Sequence, residues 1–275
     1  MYKIARVFPR KTKASPDDAL VFFGKPPPPS SIPEVDEVHV SVAFTYDLPE
    51  AERLAELWRA VGVPVKLGGP ATGQSGGSFT PGLYLKHGYI ITSRGCNNAC
   101  WFCSVPKREG GLRELPITEG HILCDDNILA CSEEHIRGVF AMLKLQKENP
   151  ILVGGLEAKL LKPWHIELLL DVKAKRIYFA YDTADDLEPL IAAGKLLGEA
   201  GITRQSRKSN CYVLIGYPGD SFDAAEKRLR EAWRAGFFPF AMLYRNNDGE
   251  TEESWRKFQR QWVRPAIVAT QIKEV

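Results

Sequence analysis

From Tyr89 onward, apolar runs recur at intervals that leave room for a helix between most of them: YIITS (89 to 93), HILCD (121 to 125), ILVGG (151 to 155), RIYFAYD (176 to 182), CYVLIGY (211 to 217) and FPFAMLY (238 to 244). Two of the intervening stretches carry clear helical stripes. One is 133 to 146, with Ile136, Val139, Phe140 and Leu143 on one face; the other is 221 to 235, opened by Ser221, with Ala225, Leu229, Ala232 and Trp233 inward. This alternation predicts six parallel strands joined by crossovers, in a sheet or a barrel, and such folds collect ligands at the carboxyl ends of the strands. The chemically distinctive residues stand at those ends: Cys96 after the first run, Asp125-Asp126-Asn127 after the second, Gly154-Gly155 and Glu157 at the third, Tyr181-Asp182 at the fourth, and Gly216 to Asp220 at the fifth.

The region before Tyr89 reads differently. Residues 1 to 34 include PPPPS (26 to 30), a stiff polyproline segment suited to an arm or linker rather than a sheet interior. VHVSVAF (38 to 44) then alternates as a strand, and Asp47 and Pro49 open a helix with Leu54, Leu57, Trp58 and Val61 on one face. VPVKLGG (63 to 69) forms a second strand, which makes a small β-α-β unit. The glycine-rich stretch GGPATGQSGG (68 to 77) has neither lysine nor GxGxxG spacing; it can be a phosphate cradle or a flexible connection.

With 36 basic and 34 acidic residues among 275, net charge +2, the chain has no field that singles out nucleic acid or an anionic membrane as a partner. Lys107-Arg108 and the run Arg204 to Lys208 read as solvated surface. No apolar run is long enough to cross a bilayer, and MYKIARVFPRKTK lacks the apolar core of a secretory signal, so the expected location is the cytoplasm.

Three of the six cysteines, Cys96, Cys100 and Cys103, fall within eight positions in ITSRGCNNACWFCSVP (91 to 106). Three thiolates on one loop can hold one face of a 4Fe-4S cube and leave one iron open. Two alternatives share the donors. Structural zinc needs a fourth ligand such as His87, His121 or Cys124, and a non-catalytic electron carrier would take Cys124 as its fourth thiolate. Cys124, Cys131 and Cys211 lie on apolar runs and read as buried small side chains.

CNNACWFC is CxxxCxxC with an aromatic before the last cysteine, and in this it resembles the signature of the radical S-adenosylmethionine (SAM) superfamily. The resemblance implies a site-differentiated 4Fe-4S cluster on Cys96, Cys100 and Cys103, with the amino and carboxylate groups of SAM chelating the open iron. It further implies that an electron, from a reductase or a flavodoxin- or ferredoxin-type donor, splits the sulfonium to a 5'-deoxyadenosyl radical that abstracts hydrogen from a substrate. Gly154, Gly155 and Glu157, in GGLE, resemble the Gly-Gly-Glu stretch that receives the SAM amino group, with Leu156 inserted, and Asp125 or Asp126 can take that role instead. Phe102 resembles the aromatic near adenine, YVLIGYPGDS (212 to 221) with Gly216 resembles the segment whose backbone contacts adenine, and Asp182 is positioned for the ribose hydroxyls. Tyr181 and Tyr217 are candidates for relaying an electron or proton.

Residues 41 to 71 resemble the latter part of a cobalamin-binding domain, but no Asp-x-His-x-x-Gly stretch supplies a cobalt ligand, so bound cobalamin is not expected. TSRGCNNACWFCSVPKREG also resembles the tRNA methylthiotransferases, which use a second cluster held by an amino-terminal domain; no cysteine precedes Cys96 here. The resulting expectation is an α/β protein: an arm and degenerate cobalamin-domain-like β-α-β layer at 1–85, a partial (β/α)6 barrel of parallel strands at 86–245, and a helical tail at 246–275 packed through Trp255, Phe258 and Trp262. The expected function is radical SAM chemistry on a small-molecule or macromolecular substrate that the sequence does not name.

Overall fold

The computed structural model describes residues 2–246 and 248–273, and the chain divides into two compact units, residues 1–118 and 119–275. Both are α/β, built on parallel sheets.

In the first unit, β1 (Ile4–Phe8), β2 (Val21–Phe23), β3 (Glu37–Ser41) and β4 (Val65–Gly68) pair in parallel in the order β2-β1-β3-β4, and α1 (Leu48–Arg59) connects β3 to β4. The β-α-β segment read from the sequence is therefore half of a larger sheet. Residues 4–8 and 21–23, which the sequence reading leaves in an arm, are strands. Arg6 breaks the apolar run of IARVF, but it pairs with Asp18, and Ala5 and Val7 are fully buried between neighbouring strands. The prolines at 26 to 30 lie outside the sheet, as expected. Helix α1 buries Ala51, Leu54, Ala55 and Trp58, the i, i+3, i+4, i+7 stripe. Leu57 lies beside that stripe rather than on it and is 38% exposed. The remainder of this unit consists of β5 (Tyr89–Ile90), β6 (Ser93–Arg94), α2 (Val105–Glu109) and β7 (Arg113–Glu114), with β6 and β7 antiparallel around the cysteine loop.

In the second unit, β8 (Ile122–Leu123), α3 (Glu133–Lys144), β9 (Ile151–Leu156), α4 (Pro163–Asp171), β10 (Arg176–Tyr181), α5 (Leu187–Glu199), β11 (Ser209–Ile215), α6 (Phe222–Arg234) and β12 (Phe238–Leu243) follow the predicted alternation. Helices begin where caps dictate: Ser132 Oγ accepts from the His135 amide and Ser221 Oγ from the Ala224 amide, both at 3.2 Å. Strand order is the chain order, β8 to β12. Each crossover therefore steps in the same direction, and right-handed connections put all four helices on one face. Leu152, Ile177, Phe179, Val213 and Ile215 are buried, as are Leu190, Ala193, Leu197, Ala225 and Leu229 on the helices. The other face carries Tyr178, Tyr212 and Phe240, only half-buried, with Tyr178 stacked on Tyr212 at 4.7 Å and Tyr212 edge-on to Phe240 at 5.8 Å.

After β12 come α7 (Glu253–Gln261) and α8 (Pro265–Lys273). Trp255 and Trp262 are buried, and Phe222 meets Trp255 at 4.3 Å, the packing role read from WRKFQRQW. No helix among the described residues is long and apolar enough to cross a membrane.

Candidate functional site

The cysteine loop leaves β6 and returns through α2. Gly95 opens it at φ +84°, and a Cβ there would overlap the carbonyl oxygens of Gly110 and Gly111, so glycine is required both by conformation and by close approach. Cys96 N donates to Gly110 O (3.3 Å), Leu112 N to Asn97 Oδ1 (3.2 Å) and Cys103 N to Cys100 O (3.1 Å); these bonds give the loop a defined course. Cys100 is exposed, and Cys96 and Cys103 are half-buried. The Asn98 amide donates to Cys96 Sγ at 3.4 Å, the polarity a metal-bound thiolate favours. Phe102 is half-buried edge-on to Trp101 at 5.4 Å, and Trp101 is 55% exposed.

Behind the loop, the last residue of α2, Glu109, has a side chain only 2% exposed. Its carboxylate accepts from Arg113 (2.7 Å), Arg108 (3.0 Å), the Gly76 amide (3.0 Å) and Ser75 Oγ (3.2 Å), with Arg94 at 3.7 Å. Burial pushes its pKa up, but the hydrogen bonds from Arg113, Arg108 and the Gly76 amide outweigh burial and hold the carboxyl at about 2. The glycine-rich stretch thus does cradle an anion, and that anion is the protein's own. Sequence reasoning missed Glu109; the hint was one acid among four nearby arginines and lysines, Arg94, Lys107, Arg108 and Arg113.

In the second unit, the strand-end residues sort into two groups. Four residues of β9 advance against two of β10, since Ile177 pairs with Leu152 but Phe179 with Leu156. The irregularity falls on Val153, Gly154 and Gly155, and paired glycines inside a strand are the sequence signal for it. A Cβ on Gly154 would overlap the Asp125 carbonyl oxygen, and the Val153 carbonyl accepts from Tyr212 Oη at 3.4 Å. Directly after the bulge, Glu157 accepts from Asn127 Nδ2 and pairs with Lys159, each at 2.6 Å. Asp125 and Asn127 are both buried. The structure therefore brings the β8 end and the GGLE stretch together.

Asp182 and Gly216 form the second group. Asp182 Oδ1 accepts from the Leu214 amide at 3.1 Å; burial, and then repulsion from Asp186, raise its pKa to about 6. The Gly216 amide donates to Asp220 Oδ2 at 2.8 Å, and Asp220 also binds Arg228 at 2.8 Å, so GYPGDS is a turn closed by its own carboxylate. Tyr181 points toward the helices: it is buried, and its hydroxyl donates to Glu231 Oε2 at 2.6 Å, which leaves it a structural role. Tyr217 packs under the Arg228 guanidinium at 5.2 Å.

Three thiols on one loop, one of them receiving a backbone N–H, are donors suited to an iron-sulfur cluster. Among the described residues, no three His, Cys, Asp or Glu side chains converge as donors around a single point. Burial together with Asp125 pushes the Cys124 thiol up to about 12, which disfavours it as a ready ligand. Cys131 and Cys211 are buried, as expected.

No family model matches the chain. Among curated proteins, it is similar to the ribosomal protein uS12 methylthiotransferase RimO of Xanthomonas oryzae pv. oryzae strain PXO99A, 28% identical over 173 residues, which is 57% of this chain and 34% of the relative. RimO of Klebsiella pneumoniae strain 342 is 28% identical over 176 residues, 58% of this chain and 37% of the relative. RimO of Actinobacillus succinogenes is 28% identical over 169 residues, again 58% and 37%. The chain spans about a third of the length of the curated relatives it matches. Their name shares methylthio transfer with the tRNA methylthiotransferases that TSRGCNNACWFCSVPKREG resembles but gives a ribosomal protein as the substrate, and the likeness supports an enzyme of the radical SAM superfamily.

Proposed function

We propose that this chain is a radical SAM enzyme whose cysteine loop holds a site-differentiated 4Fe-4S cluster through Cys96, Cys100 and Cys103. The observation that carries the reading is this loop: three thiol side chains on eight residues, one sulfur already receiving a backbone N–H, and the whole anchored by the buried Glu109 carboxylate. When bound, the cluster and SAM supply reductive cleavage of the sulfonium and removal of a substrate hydrogen.

The chain's own residues would bind, orient and shield. Glu157, held by Asn127 and Lys159 after the β9 bulge, is the acceptor for the SAM amino group, with Gly154 and Gly155 allowing close backbone approach and Asp125 behind them. Asp182, fixed to the Leu214 amide, meets the ribose hydroxyls; Phe102 and the backbone at Gly216 flank adenine. Cobalamin is not part of this reading. The relatives are named for methylthio transfer to ribosomal protein uS12. A reductase or a flavodoxin- or ferredoxin-type protein would supply electrons, and the cytoplasm is the proposed compartment.

Anaerobic reconstitution tests the proposal. The full chain should bind about four irons per cluster, turn brown, and release 5'-deoxyadenosine from SAM when reduced, and Cys96→Ser, Cys100→Ser and Cys103→Ser should each abolish the release. A brown protein inert toward SAM would point to an electron carrier, and a colourless zinc-loaded protein to a binding module; either overturns the reading.

A further inference from the structure

The first unit contains a cavity of about 460 Å³, within the range of small-molecule sites. It opens at the carboxyl ends of three parallel strands, where Phe8 of β1, Ser41 of β3 and Gly68 of β4 all line it, which is where open parallel sheets bind ligands. Phe44, Phe79 and Tyr84 supply the walls. Two of these are large side chains left exposed, Phe44 at 41% and Tyr84 at 38%. Both are held in place: Phe44 stacks on Tyr46 at 5.2 Å, and Tyr84 stacks on His39 at 6.0 Å and bonds to its Nδ1, while His39 Nε2 meets Glu37 at 2.9 Å. Fixed aromatic surfaces facing a cavity favour a flat ring system.

The charges around the cavity argue against an anion. Arg10 is paired with Asp47, and Lys66 with Glu37 at 2.6 Å. Arg94, with the Gly76 amide and Ser75 of the glycine stretch, is directed at the Glu109 carboxylate, which takes the place an external phosphate would need. Among the described residues, the side chains of Ser41, Gln74 and Thr80 line the cavity without hydrogen-bonding to the chain, so they offer neutral donors and acceptors.

We propose that this cavity binds an uncharged, flat heteroaromatic molecule of nucleoside size, recognised by stacking on Phe44 and Tyr84 and by neutral hydrogen bonds from the Ser41 side. None of the three clustered cysteines lines the cavity, and the inference stands whether or not the radical SAM reading holds.

A substitution at Gly68 provides the test. A Cβ there meets no atom within 4 Å and Gly68 lines the cavity, so Gly68→Leu is expected to narrow the cavity without a clash at Cβ. Adenosine and inosine, titrated separately into the full chain without cluster or SAM, are expected to raise its melting temperature and to bind measurably by calorimetry. Gly68→Leu should melt near the parent temperature yet lose the affinity by about tenfold or more. Ser41→Leu, which blocks the floor from a different strand, should do the same. Asp182→Asn, which weakens the proposed SAM pocket, serves as the common background for both variants, so that adenosine held at the ribose-binding carboxylate is not counted. The proposal is overturned if neither nucleoside binds at millimolar concentration in that background, or if binding survives Gly68→Leu and Ser41→Leu. It also fails if adenosine 5'-monophosphate or hydroxocobalamin binds through Gly68 more tightly than the neutral nucleosides.

Discussion

Glu109 in the first unit and Asp182 in the second are both carboxylates withdrawn from water at the end of a secondary-structure element, yet they titrate in opposite directions. Around Glu109 stand three guanidinium groups, a backbone amide and a serine hydroxyl, and the carboxyl sits at about 2. Around Asp182 stand one backbone amide, a second acid, Asp186, and a single guanidinium, Arg228, whose lowering effect burial and Asp186 outweigh, and the carboxyl sits at about 6. Burial alone does not decide what a buried acid is for; its partners do. Glu109 is locked as an anion and serves as a clamp between the glycine stretch and the cysteine loop. Asp182, buried beside a second acid, holds its proton up to about pH 6.

The contrast is open to direct attack. The largest effect is expected from Glu109→Gln, which leaves three arginines around a neutral amide: about 3–5 kcal/mol of stability lost by denaturant unfolding, together with poor iron retention after reconstitution. If the variant is as stable as the parent, the clamp is not structural. Gly154→Ala comes next at about 2–3 kcal/mol, because its methyl group overlaps the Asp125 carbonyl and must push β9 away from the β8 end. SAM binding should weaken with it, read by equilibrium dialysis.

Asp182→Asn should cost little stability at pH 7, since an amide oxygen can still accept from Leu214, but it should weaken SAM binding about fivefold to tenfold. The pH dependence separates the two acids further. Because the folded state raises the Asp182 pKa above its ordinary value of 3.8, ionising it opposes folding, so stability should fall as pH rises from about 4 through about 6, and Asp182→Asn should remove that fall. Glu109 has the opposite sign: its depressed pKa contributes stability that is complete above the ordinary value of 4.5 and lost only as pH falls toward about 2. Melting temperature against pH for parent and both variants measures both slopes. The smallest effect belongs to Tyr212→Phe, which removes the 3.4 Å bond to the bulge carbonyl at Val153 and should cost about 0.5–1 kcal/mol.

The alternation of the second unit was legible in the sequence because it depends on local periodicity. Ile136, Val139, Phe140 and Leu143 are buried as their spacing requires, and Ser221 caps the helix it was expected to open. The strand IARVF was not legible, since its charged Arg6 is neutralised by Asp18, twelve residues away. The same holds for Tyr181, which sits at a strand end like its neighbour Asp182 but is turned toward Glu231 on α6. At a strand end, one residue's difference in register reverses the face a side chain occupies.

By itself, the sequence determined the α/β class of this protein and the grouping of three thiols on one loop, because both follow from spacing along the chain. Only the tertiary structure decided that an internal carboxylate fills the anion cradle of the glycine stretch, that β9 bulges at its paired glycines, and that Glu109 and Asp182 hold opposite charge preferences. Those outcomes depend on which distant groups share a buried volume, and a carboxylate's charge is set by that company rather than by its neighbours in sequence.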